Sequence, residues 1–254
     1  MTRYAGKRAV ITGGTMGMGL AIAEHLRDGG AEVLVTGTNE RNLASARERL
    51  GGRGHVVRSD TSVLSDLRCL ARQVEQTLGS IDALFINAGV AALMPFEHVT
   101  EADYDRTFAI NTRGAFFAVQ LLAPRIRDGG AIVFTTSIAN ETGYPGMSVY
   151  AGSKAALRAF AQGFAAELLP RNIRVNALSP GFIKTSTMGI AGASAAELRT
   201  FESEGRAVTP MKRIGTVDEV AQAALFLAFD ATFSNGIELL IDGGLSTLTV
   251  PTPA

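Results

Sequence analysis

Two residues four positions apart, Tyr150 and Lys154, carry the clearest chemical pattern in this chain, and Ser137 lies thirteen residues before Tyr150. Residues at this spacing share one face of a helix, so a phenol and an ammonium group can meet there. A phenol with a pKa of about 10 is a poor acid–base catalyst at neutral pH, and an adjacent ammonium lowers that pKa. The pair could therefore move a proton to or from a substrate oxygen, to which Ser137 could donate a hydrogen bond.

A glycine-rich turn follows the first predicted strand, which ends at Thr12. Glycines stand at positions 13, 14, 17 and 19, and an apolar helical pattern follows them. Glycines let the backbone approach a pyrophosphate closely, and a helix N-terminus offers free N–H groups. The spacing Gly-x-x-x-Gly-x-Gly differs from the standard dinucleotide fingerprint. It predicts a nucleotide phosphate site, with a simple turn as the alternative.

Taken together, the motifs along the chain resemble those of the short-chain dehydrogenase/reductase family, in its main branch. Ile86 departs from the family pattern, since an asparagine is common at that position. The matching motifs span the whole chain: Thr12-Gly13-x-x-x-Gly17-x-Gly19, Asp60, Asn87-Ala88-Gly89, Asn111, Ser137 with Tyr150 and Lys154, Pro180-Gly181, and Ile241-Asp242-Gly243-Gly244.

The resemblance implies a catalytic set of Asn111, Ser137, Tyr150 and Lys154. Tyr150 would act as acid or base, while Lys154 would lower its pKa and hold the nicotinamide ribose. Ser137 would polarise the carbonyl, and Asn111 would anchor a water that links Lys154 to solvent. The implied reaction is hydride exchange between a nicotinamide and a ketone or secondary alcohol.

The resemblance also implies the residues that bind the cofactor. They are Gly13, Thr15, Met16, Gly17, Met18, Gly19, Thr36, Gly37, Thr38, Asp60, Thr61, Asn87, Ala88, Gly89, Tyr150, Lys154, Pro180, Gly181, Ile183 and Thr185.

The end of the second predicted strand favours NADP(H), although NAD(H) stays possible. No acid occupies positions 36–39, where NAD-preferring enzymes usually place one to accept from the adenosine 2′-hydroxyl. The basic residues that NADP-preferring relatives often carry at the positions of Met16 and Thr38 are missing. Arg41 could reach a 2′-phosphate from the first turn of the next helix.

Strand and helix patterns alternate along the chain. This alternation predicts a single α/β domain over 1–254: a Rossmann-like, doubly wound parallel sheet of about seven strands with helices on both faces. Such sheets bind ligands at the carboxyl ends of their strands, where the motifs fall. The predicted strands are 7–12, 32–37, 54–58, 81–87, 130–136, 172–178 and 236–241, and the predicted helices are 17–28, 40–50, 63–78, 101–126, 148–169 and 217–229.

The segment at about 182–210 is predicted to be a flexible substrate lid that contains helical turns. It would help to form a mostly apolar substrate pocket, to which Asn140 and Glu141 could add polar contacts. A keto steroid, an acyl thioester, a sugar, a small diketone and an aromatic ketone all stay open as substrates. The predicted wall residues are Val90, Leu93, Tyr144, Met147, Met188, Ile190, Phe201 and Met211.

The composition favours a cytoplasmic protein that acts on small molecules. Lys and Arg balance Asp and Glu at 24 each, which gives no indication of nucleic acid or an anionic membrane as a partner. A single cysteine excludes an internal disulfide. No signal peptide is visible, and no apolar run reaches the roughly 18 residues of a membrane span. Three scattered histidines without ligand spacing predict no metal site.

Two further functions and an assembly are compatible with the sequence. One function is a 3-oxoacyl carrier-protein reductase, for which Arg113 and Arg158 could help to dock an acidic carrier. The other is a nonenzymatic NADP-binding sensor, although such relatives commonly lose the tyrosine or the lysine. The alanine- and glycine-rich helix predicted at 148–169 shows few charges, which favours a homotetramer, or a dimer, packed through this helix.

Overall fold

The computed structural model describes residues 2–188 and 194–249. Seven strands form one parallel sheet in the order β3-β2-β1-β4-β5-β6-β9, and β7 pairs with β8 beside it. The strands are β1 (Arg8–Thr12), β2 (Glu32–Gly37), β3 (Gly54–Arg58), β4 (Ile81–Ile86), β5 (Ile126–Thr135), β6 (Arg174–Pro180), β7 (Ile183–Lys184), β8 (Gly215–Thr216) and β9 (Glu238–Ile241).

Helices cover both faces of the sheet, so the predicted α/β, doubly wound architecture is confirmed. None of the described helices is both long and apolar enough to cross a membrane. The helices are α1 (Gly17–Asp28), α2 (Glu40–Leu50), α3 (Leu64–Thr77), α4 (Glu101–Phe108), α5 (Ala115–Leu122), α6 (Ser148–Glu167), α7 (Ala195–Val208) and α8 (Val217–Leu225).

The two cores of the protein form because successive side chains of a strand point to opposite faces. In β1, Ile11 packs with α1, α2 and α8, whereas Val10 packs with α3, α5 and α6. Both faces of the central strands are therefore apolar, which explains their continuous runs of valine, isoleucine and leucine. The strand order reverses between β1 and β4, and this reversal opens a crevice at their carboxyl ends.

The long helix predicted at 101–126 is interrupted in the structure. A π-helical segment at Ala109–Gly114 separates α4 from α5, and a 3₁₀ turn at Ala123–Arg125 ends the helical region. Pro124 cannot continue an α-helix, because it lacks an N–H group and its ring collides with the preceding turn. Strand β5 consequently begins at Ile126 rather than at 130.

The other differences lie at element ends and in the predicted lid. Strand β6 continues to Pro180, and a π-helical segment at Phe226–Asp230 follows α8. Within 182–210, the structure contains β7 and the four-turn helix α7, whose first residues are held by a capping box between Ser194 and Glu197. Residues 189–193, which include Ile190, lie outside the described residues.

Candidate active site

A cleft of about 680 Å³ runs along the carboxyl ends of the strands. Of the predicted site residues, Gly19 and Asn111 lie outside its lining, and the structure places both against residues that form the cleft wall. The predicted residues that line it are Gly13, Thr15, Met16, Gly17, Met18, Thr36, Gly37, Thr38, Asp60, Thr61, Asn87, Ala88, Gly89, Ser137, Tyr150, Lys154, Pro180, Gly181, Ile183 and Thr185.

The glycine turn between β1 and α1 fits a phosphate group. Gly13 has a φ of +63°, and a Cβ atom there would stand 2.8 Å from the Cα of Ala88. A Cβ atom on Gly19 would come even closer to the Gly13 carbonyl oxygen, so a side chain at either position would push the turn out of place. Met16 gives α1 no side-chain cap, which leaves N–H groups of the first turn free for an anion.

The cleft next to β2 is lined by neutral polar groups. Gly37 packs so closely on Thr15 that it has no room for a side chain, and Thr38, Asn39 and Asn42 complete this wall. The Asn42 amide donates to the Met16 sulfur at 3.2 Å. Arg41, which the sequence analysis considered for a 2′-phosphate, is exposed and lies outside the lining.

The end of β3 supplies a second polar wall. The Asp60 carboxylate accepts hydrogen bonds from the Ser62 N–H at 2.8 Å and from its hydroxyl at 2.6 Å. Ser59 also lines the cleft, and its buried hydroxyl has no hydrogen-bond partner among the described residues. A buried hydroxyl without a partner is costly, so Ser59 is suited to bond a ligand that enters this part of the cleft.

A chain of hydrogen bonds links the glycine turn to Lys154. The Thr12 hydroxyl accepts from the backbone N–H groups of Asn87 and Ala88 at 3.1 and 3.2 Å. The Asn87 amide donates to the Gly13 carbonyl at 3.1 Å, and its oxygen accepts from the Thr135 hydroxyl at 3.4 Å. The Lys154 ammonium donates to the Thr135 carbonyl at 2.8 Å. The ends of β1, β4 and β5 are thus connected to α6.

The first two turns of α6 carry Tyr150 and Lys154 side by side, as the spacing predicted. The Lys154 nitrogen lies 5.8 Å from the centre of the Tyr150 ring. Lys154 is 4% exposed, and this burial lowers the pKa of its ammonium to about 8. The sequence analysis expected a lowered pKa for Tyr150, but the structure indicates the opposite. Burial raises the pKa of its phenol, and a hydrogen bond with Ser137 opposes this rise.

Ser137 follows β5 and caps the 3₁₀ turn Ile138–Asn140. Its oxygen accepts from the Ala139 N–H at 3.3 Å, and its hydrogen bond with the Tyr150 phenol brings the two hydroxyl groups together. The trio of Ser137, Tyr150 and Lys154 therefore meets in the cleft, and the glycine turn lines the same cleft.

Asn111 lies in the π-helical segment and is fully buried. Its amide exchanges two hydrogen bonds with the backbone of Val90, at 2.8 and 2.9 Å, and donates to the Ser153 hydroxyl at 3.0 Å. Ser153 in turn donates to the Tyr150 carbonyl at 2.7 Å. The side chain therefore joins the segment after β4 to the start of α6. The water contact that the resemblance implies for Asn111 stays a prediction.

Several apolar side chains also line the cleft. Phe182 and Phe201 pack against each other with ring centres 5.0 Å apart, and both line the cleft. Met211, predicted in this wall, is instead 59% exposed and outside the lining. The predicted wall residues that the structure places in the lining are Val90, Leu93, Tyr144, Met147, Met188 and Phe201.

The comparison with family models decides the assignment of this fold and cleft. A model described as enoyl-(acyl carrier protein) reductase matches residues 13–246. The chain belongs to the short-chain dehydrogenase/reductase family. It is an NAD(P)-dependent oxidoreductase by this membership, and relatives named as oxidoreductases support the same class.

Several members of the short-chain dehydrogenase/reductase family match nearly the whole chain. Oxidoreductase asL5 of Sarocladium schorii is 36% identical over 251 residues, which cover 97% of this chain and 98% of that protein. A hydroxynaphthalene reductase-like protein of Metarhizium acridum is 32% identical and covers 96% of each chain. A short-chain dehydrogenase of Burkholderia cenocepacia, solved in complex with NADP, has a TM-score of 0.85 at 34% identity and covers 96% of this chain and 100% of its own.

Some lining residues of this family member were missed by the sequence analysis. Asn42 lies one turn after Asn39, whose side chain caps α2, and this capping pattern could have located Asn42 in the wall. Ser59 directly precedes the predicted Asp60. Arg106 lines the cleft from α4 and had no motif to mark it. Among residues 2–188 and 194–249, no cluster of three or more His, Cys, Asp or Glu side chains could hold a metal ion.

Replacing Lys154 by methionine is expected to stabilise the cofactor-free protein. The pKa of Lys154 lies at about 8 in the folded chain against a usual 10.5, a difference that corresponds to about 3 kcal/mol of stability lost below pH 8. Because the unfolded chain binds more protons between these values, the stability of the unaltered protein should rise as the pH increases from 8 to 10.5.

Urea unfolding at pH 7 and pH 10 measures both effects. We expect Lys154→Met to unfold at a higher urea concentration at pH 7. Its free energy of unfolding should increase by up to about 3 kcal/mol, reduced by the loss of the hydrogen bond to Thr135, and should not rise further toward pH 10. Lys7→Met, at an exposed lysine, is the control that should keep the rise. A variant that is less stable at pH 7 and retains the full pH dependence would contradict the assigned burial cost.

Proposed function

We propose that the protein exchanges hydride between NADP(H) and a neutral, largely apolar ketone or secondary alcohol. The observation that carries this proposal is the single cleft that the glycine turn and the Ser137, Tyr150 and Lys154 trio share. A bound nicotinamide would supply or accept the hydride. The glycines that tolerate no Cβ atom, the uncapped start of α1 and the unpartnered Ser59 hydroxyl fit such a cofactor.

The trio would handle the proton and the substrate oxygen. In the reduction direction, Tyr150 donates its proton to the carbonyl oxygen, while the Ser137 hydroxyl donates a hydrogen bond to the same atom. The raised pKa of Tyr150 keeps the phenol protonated at neutral pH, which suits a general acid. In the oxidation direction the phenolate is needed, and the nearby Lys154 ammonium favours that form. Lys154 would also hold the nicotinamide ribose.

The apolar lining residues of the cleft support a neutral substrate. Phe182, Phe201, Tyr144 and Met147 offer ring and thioether surfaces in the cleft that the trio also lines. The relative named as hydroxynaphthalene reductase-like lends support to an aromatic ketone. The two arginines considered for docking a carrier protein have partners within the chain: Arg158 pairs with Glu141, and Arg113 donates to the Ser62 carbonyl. We therefore favour a free small molecule over a carrier-bound acyl chain.

Tyr150→Phe tests the proposed function directly. We expect the substitution to lower turnover of an aromatic ketone by about two to four decades, because the general acid is lost, while NADPH affinity stays within about twofold. Nicotinamide absorbance across a panel of ketones and alcohols measures turnover. Tyr104→Phe, at an exposed tyrosine on α4, is the matched control. Tight cofactor binding without turnover of any panel member would instead favour a sensor.

The preference for NADP(H) follows from the neutral wall after β2. No acid at 36–39 repels a 2′-phosphate, and Thr38, Asn39 and Asn42 can bond it. The N-terminus of α2 also favours an anion. Neutral hydrogen bonds discriminate less than charge-assisted ones, so we expect a modest preference. The solved relative in complex with NADP supports this direction.

Dissociation constants for NADPH and NADH test the preference. Thr38→Asp should weaken NADPH by about tenfold or more, because a carboxylate then faces the phosphate, and should spare NADH. Arg41→Ala should change neither constant, since Arg41 is exposed outside the lining. Tenfold tighter binding of NADH by the unaltered protein would overturn the preference.

We further propose that the protein assembles as a homotetramer, or as a dimer, through α5 and α6. Ala155, Ala159, Gly163 and Ala166 form an exposed stripe on α6 that allows close helix approach. The half-buried rings of Phe116 and Phe160, which meet edge to face at 5.3 Å, border the same surface.

Light scattering tests this assembly. We expect the mass of a tetramer, or of a dimer, and we expect Ala159→Arg to lower it because a long charged side chain would stand in the contact. Ala44→Arg, at an exposed position of α2, should leave the mass unchanged. A monomer mass for the unaltered protein would contradict the proposal.

A further inference from the structure

A buried carboxylate lies directly behind the Ser137 turn. Glu238 is the first residue of β9, and its side chain is only 5% exposed. One carboxylate oxygen accepts from the Thr136 hydroxyl at 2.5 Å and from the Asn140 amide at 2.9 Å. Thr136 immediately precedes Ser137, and Asn140 ends the 3₁₀ turn that Ser137 caps. The carboxylate therefore bonds to residues before and after Ser137 and fixes the turn that contains it.

The other carboxylate oxygen of Glu238 forms an ion pair with a residue of α6. Its partner is the Arg158 guanidinium, whose Nε lies 3.2 Å away in a charge contact without the alignment of a hydrogen bond. Arg158 also donates to Glu141, the residue after the Ser137 turn, at 2.6 Å. It stands one helical turn after Lys154 and two turns after Tyr150. The helix with the phenol and the ammonium is thus bound to the turn with the serine.

This polar cluster explains where Asn140 and Glu141 point. The sequence analysis considered both for polar contacts with the substrate, but neither lines the cleft. Asn140 donates to Glu238 and Glu141 accepts from Arg158 instead. Burying a carboxylate is costly even when it is paired, and an apolar residue would serve β9 as well for packing. Catalysis gives a reason to keep it, because a misplacement of about 1 Å in reacting groups can cost about 10²-fold in rate.

We propose that Glu238 is a positioning residue, which sets the Ser137 hydroxyl against Tyr150 through Thr136, Asn140 and Arg158. Glu238 does not line the cleft and touches no reacting atom, so it acts through Ser137. This inference rests on the proposed function, in which Ser137 polarises the substrate carbonyl. If the carboxylate served folding alone, its removal would lower the stability of the protein and would leave the contribution of Ser137 to kcat unchanged.

A double-mutant cycle separates these two roles. Glu238→Gln is measured in the unaltered protein and in Ser137→Ala, with saturating NADPH and an aromatic ketone. We expect a loss of about tenfold in kcat in the unaltered background and less than about twofold in Ser137→Ala, because the group through which Glu238 acts is then missing. The control is Glu32→Gln on β2, where the carboxylate pairs with His55 and Arg8, and it should have no effect in either background.

A second readout does not depend on activity. The Ser137 hydrogen bond opposes the rise in the pKa of Tyr150, so losing the placement of Ser137 should raise that pKa further. An absorbance titration, with Tyr150→Phe subtracted, should therefore shift to higher pH in both Ser137→Ala and Glu238→Gln. Urea unfolding confirms that each variant is folded.

The outcomes separate this inference from the proposed function. Equal losses of kcat in both backgrounds, or an unshifted Tyr150 titration in folded Glu238→Gln, would overturn the positioning role while the function stands. Full activity of Tyr150→Phe and Ser137→Ala would overturn the function itself, and the titration would still report on the placement of Ser137.

Discussion

The arrangement of this site depends on how the strand ends of the sheet satisfy their polar groups. Beyond the last paired residue, the ladder of a buried parallel strand stops, and its N–H and carbonyl groups need other partners. Thr12 and Asn87 supply them at the ends of β1 and β4, and the Thr135 hydroxyl at the end of β5 donates to the Asn87 side-chain oxygen. Because each of these bonds crosses to a neighbouring strand, the position of the glycine turn is linked to the end of β5, to which Lys154 donates a hydrogen bond.

This requirement links stability and chemistry at Lys154. The ammonium is buried against the Thr135 carbonyl, and burial lowers its pKa to about 8. A group that served packing alone would be apolar at this position, since an ionised amine loses its hydration there. The same burial brings the proton equilibrium close to neutral pH, where a charge near Tyr150 can be used. The protein thus retains a side chain that weakens its fold at the place where the proposed chemistry needs one.

The sequence was sufficient for features that follow from local patterns, and insufficient for features that depend on distant contacts. The apolar runs located all seven strands of the main sheet, and α1 and α2 match their predicted bounds because glycine and Asn39 mark their ends. The π-helical segment at Asn111 keeps a helical hydrophobic pattern, so periodicity could not reveal it. Whether Arg41 or Asn42 faces the cleft depends on the rotation of α2, which its first turn does not fix. The direction of the Tyr150 pKa depends on burial, which no spacing of residues encodes.

The position of Glu238 illustrates why the site cannot be understood from its motifs alone. The three residues of the trio come from a strand end and a helix, and the sheet fixes each element separately through its apolar core. Apolar packing sets the distance between layers, but it resists small sliding movements less strictly than aligned polar bonds do. The turn after β5 and the helix α6 therefore need a directional link between them. A carboxylate with donors on both sides of Ser137 and a guanidinium from α6 provides that link, and it comes from β9, about a hundred residues later in the chain.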